Sequence, residues 1–273
     1  MADRWAGGGD YERYVGRWSR PVAAIFLDWL AVPADRTWVD VGCGTGALTE
    51  TILNRCAPSA AIGIDPSADF VSHASAGLVD SRVRFATGSA AALPVDDGWA
   101  QAVVGGLVIN FIPDLASALG EMVRVAAPGA LIGGYVWDYA GEMQLMRRFW
   151  DAAIELDPAA VTLDEGVRFP ICAPEPLRDA FRAAGLSDVT ARSIDVPTVF
   201  RDFDDYWTPF LSGIAPAPGY VVGLDTDRRT RLRERLRATL PVEPDGSIRM
   251  IARAWAVRGR RGLTALTSDV LSR

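Results

Sequence analysis

The sequence predicts an α/β protein: a doubly wound, mostly parallel sheet of seven strands with helical insertions capping it. Three observations carry that prediction. Short apolar runs rich in β-branched residues alternate with amphipathic helical stretches from residue 37 to residue 137. A glycine turn, Gly42-Cys43-Gly44-Thr45-Gly46, joins the first strand directly to the helical pattern of Leu48, Ile52 and Leu53. Beyond Trp137 the alternation loosens into Pro-rich and aromatic stretches before two further strands.

The elements follow in order. Residues 10–18 are aromatic and charged and read as irregular. Ser19-Arg20-Pro21 starts a helix, with proline suited to its first turn, and Val22, Ile25, Phe26, Trp29 and Leu30 share its apolar face until Pro33. Strands are expected at 37–41, 61–65, 83–87 and 102–108, the last apolar on both faces as a central parallel strand requires. Helices follow at 47–55, after Pro66-Ser67, and from Asp114, where Leu115, Ala118, Leu119, Met122 and Val123 form the buried face. Pro128-Gly129 is expected to turn the chain into a fifth strand, 130–137. Met143, Met146, Phe149, Trp150 and Ala153 suggest a helix, and 175–184 another, closed by Gly185. Strands six and seven read at 189–196 and 247–257. An aromatic segment and an Arg-rich helix, 226–240, lie between them. With no repeat and no clear linker, one domain over residues 1–273 with cap insertions near 140–175 and 200–245 is preferred to two.

Composition narrows the function. Apolar residues make up 49 % of the 273, so the chain can bury a sizeable core. A net charge of −6 argues against general affinity for nucleic acid or anionic membranes. The three cysteines, Cys43, Cys56 and Cys172, form no metal-like pair or even framework and fit a reducing cytosol. No apolar run approaches the roughly 18 residues that span a bilayer, and the first residues lack an apolar leader segment. A soluble cytoplasmic protein without bound metal is expected; its oligomeric state is not specified.

A strand, a glycine turn and a helix N-terminus together make a nucleotide cradle, because bare backbone can approach a ligand and free N–H groups attract its charged end. Gly42-x-Gly44-x-x-Ala47 is compatible with a dinucleotide fingerprint, which leaves a nicotinamide oxidoreductase as one reading. The run Val39-Asp40-Val41-Gly42-Cys43-Gly44-Thr45-Gly46, however, resembles motif I of the class I S-adenosylmethionine-dependent methyltransferases, where an acid stands two residues before the first glycine. Glu121-Met122-Val123-Arg124-Val125-x-x-Pro128-Gly129 is similar to the helix and turn of small-molecule enzymes of the ubiquinone-biosynthesis group. The resemblance covers about residues 38–137, and it implies the sheet order 3-2-1-4-5-7-6 with an antiparallel last strand.

The same resemblance implies the site. Asp40, Gly42, Cys43, Gly44 and Gly46 would hold the methionine end of S-adenosylmethionine. Asp65, with Pro66 after it, would accept from the ribose hydroxyls; capping the next helix is the alternative role. Ser89 and Ala90 stand where the family often has an acid for the adenine amino group. Gly105, Gly106 and Leu107 end the fourth strand near the methionine portion, although tight packing explains glycine there equally. Tyr14, with Tyr11 and Trp18, belongs to a segment that in related enzymes closes over the cofactor, where an aromatic face attracts a sulfonium; a strap packed on the sheet accounts for the same residues. Asn110-Phe111-Ile112-Pro113 lacks the signature of enzymes that methylate planar amino groups. Asn110, Trp137, Tyr139, Tyr206, Trp207 and Phe210 are the candidate acceptor pocket, the last three sharing a helical face that could equally be cap core. No residue stands out as a base, and Asp138 is the one candidate. His73, on a helix away from the strand ends, reads as a helix residue. The expected activity is methyl transfer to a small, apolar or aromatic acceptor; a non-catalytic cofactor-binding protein remains an alternative.

Overall fold

The computed structural model describes residues 16–213 and 215–263. Seven strands form one sheet: β1 (Thr37–Val41), β2 (Ala60–Asp65), β3 (Val83–Thr87), β4 (Ala100–Gly106), β5 (Ala126–Trp137), β6 (Ser187–Phe200) and β7 (Ile248–Arg260). Their order is β3-β2-β1-β4-β5-β7-β6, as the motif resemblance implied. Pairing is parallel from β3 to β5, and β7 runs antiparallel to both β5 and β6. β1 lies between β2 and β4, which is why Trp38, Val39 and Val41 are all buried on a strand with no solvent face.

Helices α1 (Ser19–Leu30), α2 (Ala47–Cys56), α3 (Ala68–Gly77) and α4 (Leu115–Val125) accompany the parallel strands. Ser67 and Asp114 cap α3 and α4, each accepting a backbone N–H three residues on, so the polar residue before each apolar pattern sets the start. α1 ends at Ala31 in the left-handed conformation, two residues short of Pro33.

Three strand boundaries differ from expectation. β5 begins at Ala126, not after Pro128-Gly129, because Ala126 already pairs with Ala100 and Gly129 N–H bonds to Arg261 O at 3.0 Å. The ladder shifts register there, so the predicted turn is an irregularity inside a strand. β4 stops at Gly106, where Leu107 turns left-handed at φ +58°. β6 continues to Phe200 through Pro197, which an edge strand tolerates because its outer groups need no ladder partner.

The cap comprises α5 (Gln144–Leu156), a tight turn at 158–163, α6 (Glu165–Arg168), α7 (Pro174–Ala183), α8 (Phe203–Trp207), α9 (Pro216–Gly223) and α10 (Thr226–Thr239). Its centre is aromatic. Phe149 stacks on Phe210 at 4.5 Å and 7°, Tyr206 packs on Phe210 and Phe200, and Trp207 lies parallel to Phe203. Tyr206 and Phe210 are fully buried, and the Tyr206 hydroxyl donates to Leu145 O at 3.2 Å. The shared face of Tyr206, Trp207 and Phe210 packs the cap, the second role that their spacing left open. Among the described residues no helix is long and apolar enough to cross a membrane.

Candidate active site

The carboxyl ends of β1, β2 and β4 meet at the glycine turn. Gly42 and Cys43 donate to Ile64 O at 2.7 and 3.0 Å, which ties the turn to β2, and Gly46 at φ +89° opens α2. A Cβ on Gly42 would lie 2.2 Å from Val108 Cγ2, so packing alone demands glycine. Gly44 is different. Its φ is +52°, and nothing lies within 4 Å of where a Cβ would stand, so its bare backbone faces open space.

Two carboxylates flank that space. Asp40 is buried at the end of β1, and its Oδ2 accepts from Thr49 Oγ1 at 2.7 Å. Oδ1 is buried with no hydrogen-bond partner among the described residues. Burial pushes the Asp40 carboxyl up to about 7; the Thr49 hydrogen bond opposes this and nearby Asp65 adds to it. Asp65 ends β2, with Oδ2 accepting from Gly44 N–H at 3.0 Å and Oδ1 from Ser67 N–H at 2.9 Å. Ser67, not Asp65, caps α3. Burial, with Asp40 and Asp65 nearby, also pushes the Cys43 thiol up, so it is no nucleophile.

Farther along the strand ends the picture is mixed. Ser89 is exposed after β3 and accepts from Ala91 N–H at 3.2 Å, with half-buried Ala90 between them; Pro66 is exposed beside Asp65. Gly106 owes its identity to packing, since a Cβ would meet the Tyr135 hydroxyl at 2.6 Å. Leu107 is held left-handed by its N–H bond to Tyr135 O at 2.8 Å, a conformation costing about 1–2 kcal/mol for a side-chain-bearing residue. His73 sits exposed on α3. Tyr14 and Tyr11 lie outside the described residues.

Asp138 proves to be a turn former. Its Oδ2 accepts from Glu142 N–H at 2.9 Å and its main-chain oxygen from Gly141 and Met143, while a Cβ on Gly141 would reach the carboxylate at 2.6 Å. These bonds make it a former of the loop after β5.

Around that loop lies an aromatic group that includes Tyr139, with Phe169 as the member the sequence reading did not single out. Phe169 packs edge-on against Phe111 at 5.2 Å and against Tyr139 at 6.1 Å, bringing the cap over the ends of β4 and β5. Asn110, next to Phe111, has a buried Nδ2 with no acceptor among the described residues; so has the Trp137 indole N–H at the end of β5. Arg147 fastens the cap here, donating to Asp164 Oδ2 at 2.7 Å and to Tyr139 O at 3.4 Å. Residue 166 is glycine because a Cβ would lie 2.9 Å from Ala140 Cα. Phe169 follows a stretch with no helical or strand period, so only its aromatic character could have marked it.

Comparison with known proteins agrees with this geometry. A methyltransferase domain family matches residues 39–133, the part of the chain that carries the glycine turn and most of β1 to β5. A demethylmenaquinone methyltransferase of Roseiflexus sp. (strain RS-1) is 31 % identical over 180 residues, covering 60 % of this chain and 73 % of the relative. An uncharacterised methyltransferase of Mycobacterium bovis is 29 % identical over 237 residues, covering 86 % and 84 %. The fold is also that of Haemonchus contortus phosphoethanolamine N-methyltransferase 2, solved with S-adenosylhomocysteine, at a TM-score of 0.57 and 12 % identity over 93 % of this chain and 56 % of that one. The chain belongs to the class I S-adenosylmethionine-dependent methyltransferases of small-molecule type.

Proposed function

We propose that this enzyme methylates a small, flat aromatic acceptor held against Phe111, Tyr139 and Phe169. S-adenosylmethionine supplies the methyl group on a sulfonium. The residues at the glycine turn fit that cofactor: the unpartnered Oδ1 of Asp40 suits an ammonium, the bare backbone of Gly44 leaves room, and Asp65 can accept from hydroxyls with its remaining lone pairs. Leu107, strained at the end of β4, closes the same edge. The chain's task in the transfer is positioning, because holding an acceptor about 3 Å from its target supplies several kcal/mol of the barrier. Three free cysteines support a reducing, cytoplasmic setting.

The aromatic group is the observation that carries the acceptor class. Three rings from β4's exit, β5's exit and the cap converge, with the Asn110 amide as a donor for an acceptor oxygen. The ring system of a hydroxyarene matches these walls. The Roseiflexus relative, named for demethylmenaquinone, supports the same class. The test is transfer of labelled methyl from S-adenosylmethionine to 2-naphthol and to trans-aconitate. Label in the naphthol alone supports the reading; label in the tricarboxylate alone overturns it.

A further inference from the structure

At the amino ends of the strands, the end of the sheet away from the glycine turn, the ladder between β4 and β5 opens. Ala100 pairs with Ala126 and Ala102 with Leu131, so a short step on β4 faces a much longer one on β5. The residues between Ala126 and Leu131 stand off the sheet, and Gly129 takes φ +77° in the bend. Beside this bulge lies a cavity of about 370 Å³, within the roughly 300–1,000 Å³ of small-molecule sites. Val32 and Pro33, from the loop after α1, give it apolar wall together with Ala130 and Leu131.

The polar part of the lining is all donor. Arg36, Gln101 and Arg260 line the cavity, and among the described residues no Asp or Glu does. Arg36 is half-buried, and its guanidinium has no hydrogen bond or ion pair among the described residues. Arg260 donates to Gly129 O at 3.2 Å, which holds its guanidinium at the bulge, and it too has no ion pair among them. Gln101 Oε1 accepts from Thr37 N–H at 3.2 Å, which anchors the amide and leaves its own N–H groups to donate. The chain as a whole carries more acids than bases, 34 against 28, and Arg20, Arg55, Arg82 and Arg124 each hold a carboxylate. Two arginines from distant parts of the chain that meet at one cavity without an acid are a departure from that pattern.

We infer that this cavity binds a small organic anion, with a carboxylate or phosphate head on Arg36 and Arg260 and an apolar body against Val32 and Leu131. The guanidinium fork suits either head, and Gln101 adds a neutral donor. The five residues of β1, at about 3.3 Å each, separate this cavity from the glycine turn by roughly 16 Å. The anion and S-adenosylmethionine therefore occupy different sites. An occupant ties the loop before β1, the start of β5 and the end of β7 to one another.

Calorimetric titration of the full chain with phenyl phosphate, benzoate and neutral benzyl alcohol tests this, with and without saturating S-adenosylhomocysteine. At least one anion should bind, at least about tenfold more tightly than the alcohol, and the tighter of the two identifies the head. Its affinity should be the same in the presence of S-adenosylhomocysteine. Arg36→Gln and Arg260→Gln should each weaken it by about tenfold or more, the loss of one charge-assisted hydrogen bond. Gln101→Glu, which can still accept from Thr37 N–H but adds a negative charge to the lining, should weaken it at least as much and carries the test if an arginine variant fails to fold. No binding of either anion at millimolar concentration overturns the inference, as does equal binding of the alcohol. Displacement by S-adenosylhomocysteine, or an affinity unchanged in the folded variants, places any bound anion elsewhere and overturns it too.

Discussion

Asp40 shows how one atom can tie stability to ligand binding. Its carboxyl rises from an ordinary 3.8 to about 7 on folding, mainly by burial. An acid raised by folding contributes stability that is fully present below its unfolded value and lost as pH rises through the folded one. Native stability should therefore fall between about pH 4 and 7 by roughly a few kcal/mol, and Asp40→Asn should flatten that slope in denaturant titrations at several pH values. A slope unchanged in Asp40→Asn would show that the carboxylate is not buried as described. Asp65 makes a different case. Removing it takes away the carboxylate proposed to accept from the ribose and also frees the Gly44 and Ser67 N–H groups, so Asp65→Ala should cost about 1.5–3 kcal/mol of S-adenosylhomocysteine binding by calorimetry. An unaltered affinity in the folded variant would leave Asp65 as a loop brace alone. At Gly44, Val should abolish the cofactor-induced thermal shift while costing about 1–2 kcal/mol of stability through its positive φ.

At the scale of elements, the cap carries two distinct jobs. α8 and the 208–211 turn supply core: Phe203, Tyr206, Trp207 and Phe210 are buried against one another and against Phe149. Trp207→Ala should accordingly lower stability by about 3–5 kcal/mol, the span for emptying a buried aromatic, with cofactor affinity retained wherever the protein is folded. Loss of turnover at full stability would return Trp207 to the pocket. The α6 segment instead delivers Phe169 to the strand ends. Helical spacing in the sequence grouped the α8 aromatics correctly as one face, but spacing does not say which surface a face covers. Phe169 stood in a stretch without period and was invisible to the same reasoning. The strands were the reverse case: β1 and β2 were legible nearly to the residue because parallel strands buried on both sides are plain apolar runs. Their neighbours blurred where backbone hydrogen bonds decided, at Leu107 and around Pro128-Gly129.

For the whole molecule, a single buried apolar cluster runs from Trp18, just before α1, through the sheet to Leu232 and Leu236 of the cap. We read the chain as one domain on that basis, and its thermal unfolding should be one cooperative transition in calorimetry; two separated transitions would divide cap from sheet. The glycine turn was legible because sequence pattern and backbone geometry coincide there: Gly42 and Cys43 bond to β2, and Gly44 N–H donates to Asp65. The acceptor half was not, because its rings come from three separate stretches that only the fold assembles. The most direct test of the account is therefore methyl transfer itself. With labelled S-adenosylmethionine and 2-naphthol, the native protein should place label in the naphthyl ether and release S-adenosylhomocysteine in equal amount, and Gly44→Val should place none. Naphthol left unlabelled by a protein that S-adenosylhomocysteine stabilises by about 2.7 kcal/mol at a hundredfold over its dissociation constant would contradict it.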